Sequence, residues 1–91
     1  MTQIPPLTPA QCRAGRALLG WSQDQLAAAG GVAKRTLADF ETGRRQPYDR
    51  TLRDLREAME RAGAAFMAAG EIANEGGPGV RLAQGGDNGV A

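Results

Sequence analysis

The sequence predicts a mainly α fold, a compact bundle of four short helices followed by a C-terminal β-hairpin or strand segment. Three observations carry this. Two capping boxes, Thr8-Pro9-Ala10-Gln11 and Ser22-Gln23-Asp24-Gln25, each open a helical stretch. Apolar residues then recur at spacings of three and four as far as residue 62. Beyond Gly63 the texture changes to alanine and glycine, with one short alternating segment, Val80-Arg81-Leu82. The 91 residues suffice for one small domain and leave little room for a second core.

Taken in order, residues 1–7 contain Pro5 and Pro6 and read as a flexible or extended arm. The first helix runs from about Pro9, a proline at the first helical position, to Leu19, and stops at Gly20. Ala14, Ala17 and Leu18 form its expected buried stripe. Ser22 caps the second helix, which runs through about Ala29 and ends at Gly30-Gly31, where glycine can take the left-handed conformation of a tight turn. The third helix spans about Ala33 to Glu41 and buries Val32, Leu37 and Phe40. Thr42 to Pro47 is a loop, kept extended by the proline. The fourth helix runs from about Asp49 or Arg50 to Ala62, with Leu52, Leu55, Ala58, Met59 and Ala62 on one stripe and Gly63 as its stop.

Residues 64–68 are consistent with a strand or with a helix extension, because alanine favours the helix. Paired with Val80-Arg81-Leu82 across a glycine-rich turn, they make 64–83 a hairpin. A lone hairpin is marginal in water, so it needs the helical body or a second copy of itself. Residues 84–91 read as a disordered tail. The expected organisation is therefore an arm at 1–7, a helical domain at 8–63, a hairpin and dimerisation segment at 64–83, and a tail at 84–91.

Composition excludes several classes. With no histidine and one cysteine, Cys12, neither a zinc site nor an internal disulfide is expected, and no cofactor is called for. No nucleophile–base pair can be assembled from the lone cysteine and scattered carboxylates, so an enzyme is not expected. The apolar runs are too short to span a membrane and the N-terminus lacks a signal pattern, which makes the cytoplasm the expected location. Net charge is only +1, but residues 1–62 carry +3 and residues 63–91 carry −2. The basic excess therefore lies with the helices.

Residues 22–41 form two short helices about a glycine turn, and the second turns Lys34, Arg35, Thr36 and Asp39 away from its apolar face. A short helix carried on a packed partner, with donors pointing outward, suits the DNA major groove. Lysine and arginine can donate to guanine O6 and N7, and threonine can meet a base or a thymine methyl. Ser22 and Gln23 lie at a helix N-terminus, where free N–H groups attract phosphate, though Ser22 serves first as a cap. Arg44 and Arg45 follow the third helix and are suited to neighbouring phosphates. Arg16 and Glu41 are expected to form an internal ion pair that fixes the third helix against the first. Trp21 reads as packing, and Cys12 has no assigned chemistry.

These residues fall into R-x-L-L-G-W-S-Q-x-x-L-A from Arg16, G-V-x-x-x-T-L-x-x-F-E-x-G from Gly31, then a proline and a helix with T-L-x-x-L. In that register the chain resembles the Cro/repressor-type (XRE-like) helix-turn-helix regulators over about residues 8–62, and G-G-P-G-V-R-L resembles the end of short bacterial members. The resemblance implies a repressor-like bundle whose third helix enters the major groove. It further implies a sequence-specific transcriptional regulator, most simply a bacterial or phage repressor, bound as a two-fold dimer to a near-palindromic operator. Carried over by position, Ala33, Lys34, Arg35, Thr36 and Asp39 face the bases, while Ser22, Gln23, Arg44 and Arg45 face the backbone. The Arg16–Glu41 pair matches a recurrent structural pair of the family. The chain departs where Ala33 replaces the usual serine or threonine, and where Tyr48 takes the cap position of the fourth helix, leaving Asp49 to cap one residue later. The alternative is an antitoxin-like or other interaction module that binds a protein partner and autoregulates its promoter.

Overall fold

The computed structural model describes residues 7–67 and 77–83. Four helices, α1 (Pro9–Leu19), α2 (Gln23–Gly30), α3 (Lys34–Glu41) and α4 (Asp49–Arg61), precede two strands, β1 (Ala64–Met67) and β2 (Gly79–Leu82). Both capping boxes form. Thr8 Oγ1 accepts from the Gln11 amide at 3.0 Å, and Ser22 Oγ accepts from the Gln25 amide at 3.1 Å. In each, the glutamine Oε1 accepts in return from the cap residue's own N–H. At the end of α2, Gly31 sits at φ 68°, which a side chain would strain, and the Val32 amide folds back onto the Ala27 carbonyl at 2.9 Å.

Leu26, Leu37, Phe40, Leu52, Leu55 and Met59 form the centre of the core, each essentially closed to water. Full burial of such a side chain is worth about 1.5–3 kcal/mol, so this small set carries much of the fold. Leu7, the last residue of the expected arm, also belongs to the core. Residues 1–6 and the expected tail at 84–91 lie outside the described residues, as do residues 68–76 between the strands.

Four expectations are corrected. Ala14, Ala17 and Leu18 are exposed, and α1 instead buries Gln11, Cys12 and Gly15. The reason is steric. A Cβ at Gly15 would stand 2.9 Å from Met59 Sδ and 3.1 Å from the Phe66 ring, so the missing side chain is the notch that receives them. Val32 is only half-buried, packed against the core margin. Ala62 is exposed because it is the C-cap of α4 and not part of its stripe. Asp49 does not cap α4: Tyr48 is the N-cap, without a side-chain hydrogen bond, and Asp49 is the first helical residue, where its charge favours the helix N-terminus.

Over residues 64–67 the strand-or-helix ambiguity resolves as a strand, and residue 68 lies outside the described residues. β1 and β2 pair antiparallel with Ala64 opposite Leu82 and Met67 opposite Gly79. Alternation turns Ala64 and Phe66 inward against α1 and α4. The Arg56 guanidinium lies 5.8 Å from the Phe66 ring centre. Gln11 latches this sheet to α1, since its Nε2 donates to the carbonyls of both Met67 and Gly79 at 2.9 Å. One side chain thus completes a helix cap and anchors two strands.

Candidate nucleic-acid interface

The Gly31 turn leads from α2 into α3, whose apolar residues Leu37 and Phe40 face the core. That orientation leaves Ala33, Lys34 and Arg35 exposed, with Thr36 and Asp39 half-exposed beside them. Ala33 is the N-cap and makes no side-chain cap bond, so the first amides of α3 keep their donors free of a side-chain acceptor. Ala33 and Thr36 share an open cleft of about 490 Å³ with Arg45, Tyr48 and Thr51. The uncapped N-termini of α3 and α4 therefore meet the same cleft.

Behind this surface sits a polar brace centred on Glu41. Its carboxylate accepts from Arg16 Nε at 2.8 Å and from Arg16 Nη2 at 2.7 Å, a bidentate pair. It also accepts from Gln23 Nε2 at 3.0 Å and from Cys12 Sγ at 3.1 Å. Arg16 Nη1 donates to the Trp21 carbonyl, and Arg13 Nη1 donates to the Glu41 carbonyl. The end of α3 is thereby tied to α1 and to the start of α2. The Glu41 side chain is 2% exposed and that of Arg16 20%, so the pair is largely shielded from competing water.

The electrostatics follow from that geometry. Burial alone would push the Glu41 carboxyl up, but the hydrogen bonds from Arg16, Gln23 and Cys12 and the Arg16 charge outweigh it and hold the carboxyl below its usual range. Hydrogen bonding to Glu41 raises the Arg16 pKa against the opposing effect of burial. The Cys12 thiol is pushed far up by burial, then by its hydrogen bond to Glu41 and that group's charge. It stays protonated and acts as a donor.

The remaining expected site residues divide clearly. Ser22 is occupied as a cap. The Gln23 amide, anticipated on the DNA backbone, has one donor engaged by Glu41, so its nitrogen faces inward and its second N–H remains. The Arg44 and Arg45 amides donate to the Asp39 carbonyl at 2.8 and 3.3 Å, which fixes the loop against the end of α3. Their side chains are exposed and, like that of Arg35, have no ion-pair partner among the described residues. Lys34 does have one: its Nζ lies 3.1 Å from Asp24 Oδ1.

Sequence reasoning missed Cys12, Arg13 and Asp24. The four-residue spacing of Cys12 and Arg16 on one helical face was a usable signal for the first. Asp24 and Lys34 are brought together only by the turn between their helices. Among the described residues no group of three or more potential ligands could hold a metal, and no helix is long and apolar enough to cross a membrane. A family model described as helix-turn-helix matches residues 13–62, which takes in most of α1 and all of α2, α3 and α4. A search of curated proteins gave no match to the chain.

Proposed function

This chain belongs to the Cro/repressor-type (XRE-like) helix-turn-helix family of DNA-binding transcriptional regulators, and from that premise we propose that it is a sequence-specific repressor acting as a two-fold dimer. The observation that carries the reading is the pairing of an exposed face of α3, bearing Lys34 and Arg35, with a buried brace behind it. Arg35, Arg44 and Arg45 present guanidinium groups around α3 that have no ion-pair partner among the described residues, while Glu41 anchors the same helix to α1 and α2. A reading helix must be held rigidly if its donors are to discriminate bases.

In this reading Ala33, Lys34, Arg35, Thr36 and Asp39 meet base edges. Arg35 is the strongest candidate for bidentate contact with a guanine, and Asp39 accepts from a cytosine amine. Ser22, Gln23, Arg44 and Arg45 meet the DNA backbone, Gln23 through its second amide hydrogen. Arg16 and Glu41 position α3 and touch no DNA. Two copies place their α3 helices about 34 Å apart in successive major grooves, so the operator is a near-palindrome with that repeat. Repression follows from occupying a promoter, with no chemical step.

The strand segment supports the dimer. Each strand has a single neighbour among the described residues, so the sheet keeps open edges on which a second copy can pair. The same edges favour a second reading, in which a partner protein docks there and the chain is the DNA-binding half of an antitoxin-like pair. Selecting bound sites from random double-stranded DNA tests the first reading. A near-palindromic site bound by two copies is expected. A site without internal symmetry, bound by one copy, overturns the dimer, and recovery of no preferred sequence overturns the specific regulator. Co-purification with another protein at fixed stoichiometry would select the second reading.

A further inference from the structure

Among the described residues, Lys34 is the one cation of the proposed interface that already has an anion. Its ammonium lies 3.1 Å from Asp24 Oδ1, with the two side chains 59% and 71% exposed. Neither fold nor cap requires the pair. The box at the start of α2 is completed by Ser22 and Gln25, and an ion pair this open to water contributes little to stability. We infer that Asp24 is a discriminator, a carboxylate that occupies the place of a DNA phosphate on Lys34 and so weakens binding to DNA that offers phosphates alone. This rests on the proposed reading of α3.

The argument comes from the chemistry of the two groups. A lysine ammonium is a compact charge with three donors that rotate freely. One carboxylate oxygen uses one donor and cancels most of the long-range attraction to phosphate. Two donors remain for neutral acceptors such as guanine O6 and N7. The pair therefore costs a base contact little and a phosphate contact much. Its location adds to the effect, because Asp24 lies in the first turn of α2, where the helix dipole would otherwise favour an incoming phosphate. Arg35, Arg44 and Arg45 have no such partner among the described residues, so the screening is local to Lys34.

The experiment compares the intact protein with Asp24→Asn, Lys34→Met and the double variant. Each is titrated with a random-sequence duplex and with the selected operator across a salt series. Asp24→Asn is expected to tighten random-duplex binding about two- to five-fold and to steepen its salt dependence by about one counterion. Operator binding should change less, so discrimination falls. In the Lys34→Met background both effects should vanish. No tightening, or the same tightening with and without Lys34, overturns the inference, the latter because Asp24 then acts only as general repulsion. If Lys34→Met leaves operator affinity unchanged, the assignment of Lys34 to the reading surface itself fails, a result distinct from the other two.

Discussion

Replacing Glu41 with glutamine keeps the side chain's shape and removes its charge. In the intact protein the carboxylate accepts two hydrogen bonds from Arg16, one from Gln23 and one from Cys12. A glutamine has one acceptor oxygen and must turn an NH2 toward donors that cannot accept. The Arg16 charge stays behind in a site that leaves it 20% exposed. Removing one partner of a buried pair costs about 3–5 kcal/mol. The remaining bond from Arg16 to the Trp21 carbonyl and its partial access to water place the expectation near 3 kcal/mol. For a domain of this size that is a fall in Tm of about 12–24 °C, a large share of a total of roughly 5–15 kcal/mol.

Urea denaturation should show the midpoint falling while the slope is unchanged. A loss below about 1 kcal/mol would refute the view that the brace is a well-buried, mutually dependent network. Acid supplies an independent arm. The folded carboxyl titrates below its unfolded value of about 4.3, so between those two pKa values the unfolded chain binds more protons. The stabilisation is therefore complete above about pH 5 and is lost as pH falls through the folded pKa. Glu41→Gln lacks this component, and its deficit relative to the intact protein should shrink on acidification. The pair Arg16→Met with Glu41→Leu removes both charges and should recover much of the loss.

Three further outcomes are expected. Arg35→Ala should weaken operator binding by about 1–3 kcal/mol and relax one operator position; full discrimination in a site-selection assay would remove Arg35 from base readout. Arg44→Ala should weaken all sequences alike and lower the salt slope by about one, and an effect confined to the operator would reassign it to the bases. Gln11→Leu leaves the Met67 and Gly79 carbonyls without their side-chain donor, at about 1–3 kcal/mol. Amide exchange should accelerate in β1 and β2 more than in α3, and equal protection throughout would show that Gln11 does not latch the sheet.

What was legible in the sequence is what is decided locally. The Thr8 and Ser22 boxes and the Gly31 turn rest on contacts within a few residues, so spacing alone reveals them. The buried face of α1 does not yield to periodicity, because Ala14, Ala17 and Leu18, which recur at helical spacing, are on the surface. The face is chosen by distant partners, Phe66 and Met59 entering the Gly15 notch and Glu41 reaching Cys12. Residues 64–67 were ambiguous for the same reason: alanine permits a helix, and only pairing with residues 79–82 selects the strand. Gln23 looked free because the capping box does not use it, yet its partner lies eighteen residues away in sequence. The Lys34–Asp24 pair likewise depends on how the turn sets one helix against the next.

The buried thiol of Cys12 has a practical consequence for studying this chain. It is the only cysteine, it is closed to solvent, and its proton is held firmly. Alkylating reagents attack the thiolate, so labelling must wait until α1 separates from Glu41. The labelling rate of the unaltered protein thus becomes a gauge of how often the centre of the bundle opens, slowing tenfold for every 1.4 kcal/mol of opening free energy. If the bundle tightens when DNA is bound, the labelling of this buried sulfur should slow.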